Sequence, residues 1–429
     1  MSLRNATVGE RRTRGQPVFD FHHGEHRRHG AGEWPRIHAD SHGSDQHFAF
    51  IRVNPRKSAA ILVSLLLLLV LGGELAGQSR ASLPDGRVSC GAKLSCGVPS
   101  SQVTILGAGV VGLTTAITLA QRGVRARVLF DPSRVGQSSW VAPALFTPYA
   151  GTEPARFARW TRGAFAKLKA IANESPESGV RMGELREYCY QRSHYQAWMT
   201  ELLAMRELDP PAPCASANTS VRPHVDMLRY MPWLEAQARG LGVEFVARVV
   251  GSLSEAAGPE DRALINCSGV GARRLVPDPL VKPMHGQLVH CPNDLGLTHS
   301  VHDDAPGGLV TYVFTFADRL VLGGTFEAGR DDAQTDGPAL EAIVDRCREL
   351  LRLDGFPRWA ELAKTRSRVI AGVRPTRGLG SEYEHTRVEL DRLPDGRPLI
   401  HNYGHGRAGV TLSWATAADA ADLTLEAIA

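Results

Sequence analysis

The chain has 429 residues, with 49 Lys and Arg against 45 Asp and Glu, a net charge of +4 at neutral pH, and 43% hydrophobic and 22% charged residues. That is the balance of an ordinary globular protein, and so small a positive surplus gives no argument for nucleic-acid binding. The seven cysteines, an odd number, do not make a disulfide framework.

The first hundred residues differ from the rest. Seven of the 16 histidines fall before position 50, in Arg-, Gly- and Asp-rich sequence without apolar periodicity, so residues 1–58 are expected to be disordered. His22, His23, His26 and His29 lack the acidic partners and fixed geometry of a metal site, and no metal is expected. From Ala59 to Leu71 the chain is apolar but for Ser64, preceded by Arg56-Lys57 and followed by small residues up to Ala81. This is short for a spanning helix and has the charged start, apolar centre and small-residue exit of a signal peptide or anchor, with 59–76 as a candidate for membrane contact. Its place so far into the chain is unusual for a signal peptide. An alternative start at Val53 would leave residues 1–52 untranslated. Residues 82–101 read as a linker in which Cys90 and Cys96 could pair after export. The protein is expected in the cytoplasm if the 59–81 segment is not native, and exported or anchored otherwise.

Val103–Leu106 reads as a buried strand, Leu113–Arg122 as a helix closed by Gly123, and Ala126–Phe130 as a second strand ending at Asp131. Between strand and helix lies Gly107-Ala108-Gly109-Val110-Val111-Gly112. The first glycine allows the tight turn, the second close approach of a pyrophosphate, and the third close helix packing. Asp131, nineteen positions beyond Gly112, can accept ribose hydroxyls, which favours FAD or NAD over NADP. Further on, Gln137 to Tyr149 is a hydroxyl-rich turn (Ser138, Ser139) leading to small residues around Ala144. Amphipathic helices are predicted over Arg156–Glu174 and Leu340–Leu353, and a strand from near Val243 to Val250. Thr311 to Phe316 reads as a strand carrying Tyr312. By residue type alone Tyr312 could as well be a core tyrosine, and Arg374, beside Pro375, a surface arginine. At the C-terminal end the apolar Leu399-Ile400 runs through His401-Asn402-Tyr403-Gly404-His405 into Gly406-Arg407-Ala408-Gly409, and a helix starts at Val410-Thr411. A glycine-punctuated loop opening a helix builds a backbone-amide cradle for a polar ring or anion.

From Val103 to the C-terminus the chain resembles the D-amino-acid oxidase and D-aspartate oxidase family of flavoproteins. Leu399 to Gly409 is similar to the family's His-Asn-Tyr-Gly signature. Ala371-Gly372-Val373-Arg374-Pro375-Thr376-Arg377 resembles its Gly-Phe-Arg-Pro-x-Arg segment, and Tyr312 to Phe326 its substrate-tyrosine strand. Asn266-Cys267-Ser268-Gly269, with Pro279-Leu280 and His285-Gly286-Gln287, resembles its Asn-Cys-x-Gly … Pro-Leu … Arg-Gly-Gln stretch. Among the departures from the pattern, Asp304 to Leu309 replaces a lid with a second tyrosine, Trp140 stands for an acid, and Arg407 for a small residue.

The resemblance implies an α/β fold: a Rossmann-like FAD-binding domain (102–150, 223–290, 369–429) interleaved with an α+β substrate domain on a mainly antiparallel sheet (151–222, 291–368). It implies FAD held by Gly107 to Gly112, Asp131, Ser138, Ser139, Ala144, Val250, Ser268, Gly406, Ala408, Gly409, Val410 and Thr411. Arg374 would anchor the substrate carboxylate with its planar fork, helped by the Tyr312 phenol, while Arg377 reads as a surface arginine beside Pro375. Arg407 would offer its carbonyl to the substrate amine, and its side chain, if turned inward, would favour acidic D-amino acids. The implied reaction is oxidative deamination of D-amino acids to 2-oxo acids, ammonia and hydrogen peroxide by hydride transfer to flavin N5. It needs no general base, so His401 and His405 read as structural or flavin-facing. As partners the resemblance implies a D-amino acid and dioxygen, and admits a homodimer. Oxidation of glycine or an N-substituted amino acid on the same scaffold, or a non-catalytic flavin protein, are the alternatives. The C-terminal Glu426-Ala427-Ile428-Ala429 is not a peroxisomal address.

Overall fold

The computed structural model describes residues 102–133, 138–148, 153–191, 195–304, 310–364, 368–378 and 385–429. The apolar segment 59–81, the histidines before position 50, Cys90, Cys96 and the lid segment from Ala305 to Leu309 lie outside the described residues.

The apolar run after Gln102 forms β1 (Gln102–Leu106), which pairs in parallel with β2 (Arg125–Phe130) and with β7 (Asp261–Asn266). Beyond β2 lies parallel β6 (Glu244–Ala247). Beyond β7 lie β15 (Pro398–Tyr403), parallel, and β14 (Arg387–Arg392), antiparallel, completing a six-stranded sheet. Helix α1 (Val110–Gln121) crosses from β1 to β2, as the sequence predicts, and is buried over most of its length.

A second sheet has nine strands, among them β3 (Val180–Cys189), β4 (Arg206–Leu208), β5 (Ser216–Val225), β8 (Val281–Pro292) and β9 (Ser300–Asp303). The others are β10 (Thr311–Thr315), β11 (Arg319–Gly323), β12 (Glu327–Ala328) and β13 (Arg368–Arg377). The order is β12-β8-β11-β10-β9-β3-β5-β4, with β13 also on β8, and every pair but β3–β9 is antiparallel. The α/β class and the mainly antiparallel second sheet agree with the expectation.

Segment membership differs in two places. β8 and β13, read from sequence as part of the FAD domain, belong to the second sheet, because β13 pairs along its whole length, Arg368 to Arg377, with β8. Helix α2 (Pro154–Glu174), read as part of the substrate domain, packs instead in the same core as α1. Its stripe of Phe157, Trp160, Ala164 and Leu168 is buried there, and Trp160 Nε1 donates to Asp419 at 2.9 Å.

Two capped helices complete the frame. In α3 (Met227–Gly240) Asp226 accepts from Leu228 N, and in α4 (Gly337–Leu353) Asp336 accepts from Ala339 N. α4 buries Ile343, Cys347, Leu350 and Leu351 against Val289, Val301, Val313 and Leu322 on one face of the second sheet. The opposite face carries Leu185, Leu288, Tyr312 and Phe314, packed with Leu145. The final helix, α5 (Gly409–Ile428), lies against α1 and α2. Among the described residues no helix is long and apolar enough to cross a membrane.

Candidate active site

Three ends meet at the glycine loop. Gly107 has φ +111°, and a Cβ there would lie 2.5 Å from the Cys267 carbonyl oxygen; a Cβ on Gly112 would lie 1.8 Å from the Gly107 oxygen. No other residue fits either position. α1 starts from Gly109 with no side-chain cap and no acidic residue in its first turn, so its amides and positive dipole end face the loop. Val110 N donates to Ser139 Oγ at 3.0 Å. Ala108 and Val111 flank the turn half-buried.

Asp131 stands exposed at the end of β2, its Oδ1 accepting from Ser133 N at 2.8 Å. Ser138 Oγ donates to the Val373 carbonyl of β13, fastening the hydroxyl turn to the substrate-side sheet. Ala144 is buried with φ +29°. Val250 lies three residues past β6, which ends at Ala247 rather than at Val250 as predicted, because pairing with β2 stops at Phe130. The Ser268 Oγ is buried and has no hydrogen-bond partner among the described residues.

The C-terminal loop turns at Gly404 (φ +80°) and Gly406 (φ +55°), passes through a 3-10 turn at Gly406–Ala408, and opens α5 at Gly409. α5 also begins without a side-chain cap or an early acidic residue. Thr411 Oγ1 accepts from Thr147 N at 3.4 Å, and Val410 is half-buried beside it. Asn402 Nδ2 donates to Thr115 Oγ1 at 3.1 Å and Thr114 Oγ1 to the Ser413 carbonyl at 3.2 Å, so the first and last motifs of the fold are bonded to one another. Arg407 is exposed on the 3-10 turn.

The two histidines of this loop are inside. Burial, with Arg387 nearby, brings His401 down to about 4, and burial brings His405 down to about 3, so both are neutral rings at neutral pH. His405 Nε2 is bonded to Thr416 Oγ1 at 3.0 Å.

Tyr312 and Arg374 reach the same face of the second sheet from opposite sides of its middle. Tyr312 on β10 lies opposite Gly323 on β11, and its ring covers that glycine so closely that a Cβ there would be 1.9 Å from Tyr312 Cζ. Arg374 on β13 lays its guanidinium over Gly286 of β8, with Nη1 3.4 Å from the Thr325 carbonyl and Cζ 4.5 Å from the centre of the Phe326 ring. The stretch Gly323 to Phe326 thus lies under both side chains, a clamp of phenol and guanidinium suited to a carboxylate. Arg377, read as a surface arginine, is instead largely buried, because it bonds Asp278 Oδ2 and the His385 carbonyl.

Sequence reasoning missed Glu187 and Arg222, a buried ion pair on the same face as Tyr312. The sequence gives no clear signal, since β3 carries Arg181, Glu184, Arg186 and Glu187 on both of its faces and Arg222 stands in the largely polar β5. A cavity of about 400 Å³ lined by Glu184, Arg186, Tyr188 and Arg206 opens elsewhere, and no predicted site residue lines it.

The family model described as FAD dependent oxidoreductase matches residues 102–423. The chain belongs to that family. This FAD-dependent oxidoreductase is 37% identical over 329 residues to a D-amino-acid oxidase of Rubrobacter xylanophilus, a match spanning 75% of the chain and 95% of that protein. It is 28% identical over 345 residues to the human D-aspartate oxidase, spanning 77% of the chain and 96% of that protein. A glycine oxidase structure from Bacillus cereus superposes with a TM-score of 0.60 at 18% identity, over 76% of the chain and 95% of the other, which is a likeness of fold. FAD is the cofactor, and the glycine loop, the two uncapped helix starts and the buried Ser268 hydroxyl fit it.

Proposed function

We propose that this oxidoreductase deaminates D-amino acids, converting substrate, dioxygen and water to a 2-oxo acid, ammonia and hydrogen peroxide. The observation that carries the reading is the convergence of Arg374 and Tyr312 on one sheet face over Gly323–Phe326. The similarity to a D-amino-acid oxidase supports the choice of substrate class.

Arg374 binds the substrate carboxylate through two parallel N–H groups, and the Tyr312 hydroxyl donates a third hydrogen bond to it. The Arg407 carbonyl, on the turn before α5, accepts from the amine, so carboxylate and amine together fix which face of Cα is presented. Bound FAD supplies the two-electron acceptor and the route to dioxygen. The protein supplies orientation and no basic imidazole from the C-terminal loop, since His401 and His405 are buried and neutral and His405 is bonded to Thr416.

Anaerobic mixing with D-alanine, L-alanine and glycine, followed at the flavin band, tests this. Bleaching by the D-isomer, with peroxide on admission of air, is expected. Bleaching by glycine alone, or a bound flavin that none of them bleaches, would overturn the reading.

A further inference from the structure

The face that carries Tyr312 continues into a strip of buried charge that the clamp does not use. Along one row of the sheet Tyr312 on β10 lies opposite His302 on β9, and His302 lies beside Glu187 on β3. Neighbouring strands are about 4.8 Å apart, so Glu187 stands roughly 10 Å from Tyr312, on the side away from Arg374. Leu185, two residues before Glu187, packs with Tyr312 and Phe314, whereas Tyr188 packs in the core under α4; Glu187 therefore faces the clamp side.

Glu187 is 3% exposed and Arg222 is fully buried. Arg222 Nη2 donates to Glu187 Oε2, Tyr195 Oη donates to Glu187 Oε1 at 2.8 Å, and Arg222 Nε donates to Ser220 Oγ at 2.6 Å. His302 Nδ1 lies 3.7 Å from Glu187 Oε1. Arg222 Nη1 and the oxygen of Asn218, the cross-strand partner of Glu187, have no hydrogen-bond partner among the described residues.

Stability alone is a poor reason for such a pair, because a buried ion pair exchanged for apolar residues of the same volume is often neutral or stabilising. Its place offers a better one. A substrate held by its carboxylate between Arg374 and Tyr312 extends its side chain along the row toward His302 and Glu187. There the two charges cancel, leaving one spare donor and one spare acceptor. A substrate carboxylate would meet Glu187, and a substrate ammonium would meet Arg222.

We propose that the Glu187–Arg222 pair sets the charge selectivity of the site, so that the D-amino acids oxidised carry uncharged side chains. This rests on the reading given under Proposed function. Arg407, the other cation near the substrate in sequence, is exposed, whereas Arg222 is buried on the clamp face.

The test compares D-glutamine with D-glutamate, which match in shape and differ in charge. The parent is expected to prefer D-glutamine. Glu187→Gln keeps the shape and leaves Arg222 uncompensated, so the D-glutamate to D-glutamine ratio of kcat/KM should rise about tenfold or more. The double variant Glu187→Gln, Arg222→Gln should return it toward the parent. An unchanged ratio in a folded variant that still oxidises D-glutamine overturns the inference and leaves the oxidase reading intact. Should Glu187→Gln fail to fold, binding of succinamate and succinate to the parent holoenzyme, read from the flavin spectrum, decides. Tighter succinamate supports the inference, and equal or tighter succinate overturns it. If no D-amino acid bleaches the parent while succinamate is still preferred, the oxidase reading falls and the charge rule stands for ligand binding.

Discussion

The Tyr403 hydroxyl donates to Asp278 Oδ2 at 2.8 Å, joining the last strand of the first sheet to the segment that leads into β8 of the second. Arg377 Nε reaches the same oxygen at 2.8 Å, and Leu280 N bonds Oδ1 at 3.0 Å. Burial works against ionisation of Asp278, but Arg377 and Tyr403 outweigh it and hold the carboxyl below its usual range. Asp278→Ala leaves a buried hydroxyl and a half-buried guanidinium without their acceptor and should cost about 2–3 kcal/mol, read as a lower urea midpoint at unchanged m. Asp278→Asn, which keeps an acceptor, should cost less.

Gly112→Ala places a methyl group where the Gly107 carbonyl stands. The loop cannot keep its course, and the variant should lose stability by about 1–3 kcal/mol or more and purify with less flavin. The ratio of visible to ultraviolet absorbance, set beside the parent, measures the loss. A variant with full flavin content would show that the turn has slack.

Arg374→Met removes the charged half of the clamp. For D-alanine, kcat/KM should fall about a hundredfold or more, and Arg374→Lys should recover only part of it, since an ammonium cannot make the paired contact. Tyr312→Phe should cost about fivefold to tenfold, the worth of one hydrogen bond, with the Phe314 stacking at 4.4 Å preserved. Steady-state kinetics at fixed oxygen checks all three.

His405 makes acid stability a sensitive property. Its ring accepts a proton only near pH 3 in the folded protein, against 6.5 in the unfolded chain. Between these values the unfolded state binds the extra proton, so this contribution is fully present above pH 6.5 and is lost as pH falls toward 3. The slope is roughly 1 kcal/mol per pH unit from this residue. His405→Gln, which can still bond Thr416, should flatten the loss between pH 6.5 and 5 in urea titrations. An identical slope in parent and variant would count against the assignment.

β1, β2 and the cofactor loop after β1 were legible in the sequence because their signals are local. Gly107 turns at φ +111° and Gly112 packs on the Gly107 oxygen, constraints within one turn, and β1, α1 and β2 follow in order. The second sheet was harder. β10 reads as a strand, Thr311 to Phe316, but it is buried at every position, because α4 covers one face and the clamp side lies on the other, so its pattern does not tell which face carries the site. β8 and β13 pair across the 75 intervening residues 293–367, and nothing local in Val281–Pro292 tells which sheet it joins. Tyr312 and Arg374 were found by resemblance. Glu187 and Arg222 were not, since a charged residue in a strand reads as solvent-facing until its partner on the next strand is known.

The bonding of Thr115 to Asn402 and of Thr114 to Ser413 sets an order of events for the newly made chain. β1 has its parallel neighbour β7 only after residue 266 exists, and β7 has β15 only after residue 403. The helix start at Gly409 is later still. A polypeptide still growing on the ribosome owns the glycine loop while half of its cofactor cradle is unwritten, so the cradle for FAD is complete only once Gly409 and the first turn of α5 have been made.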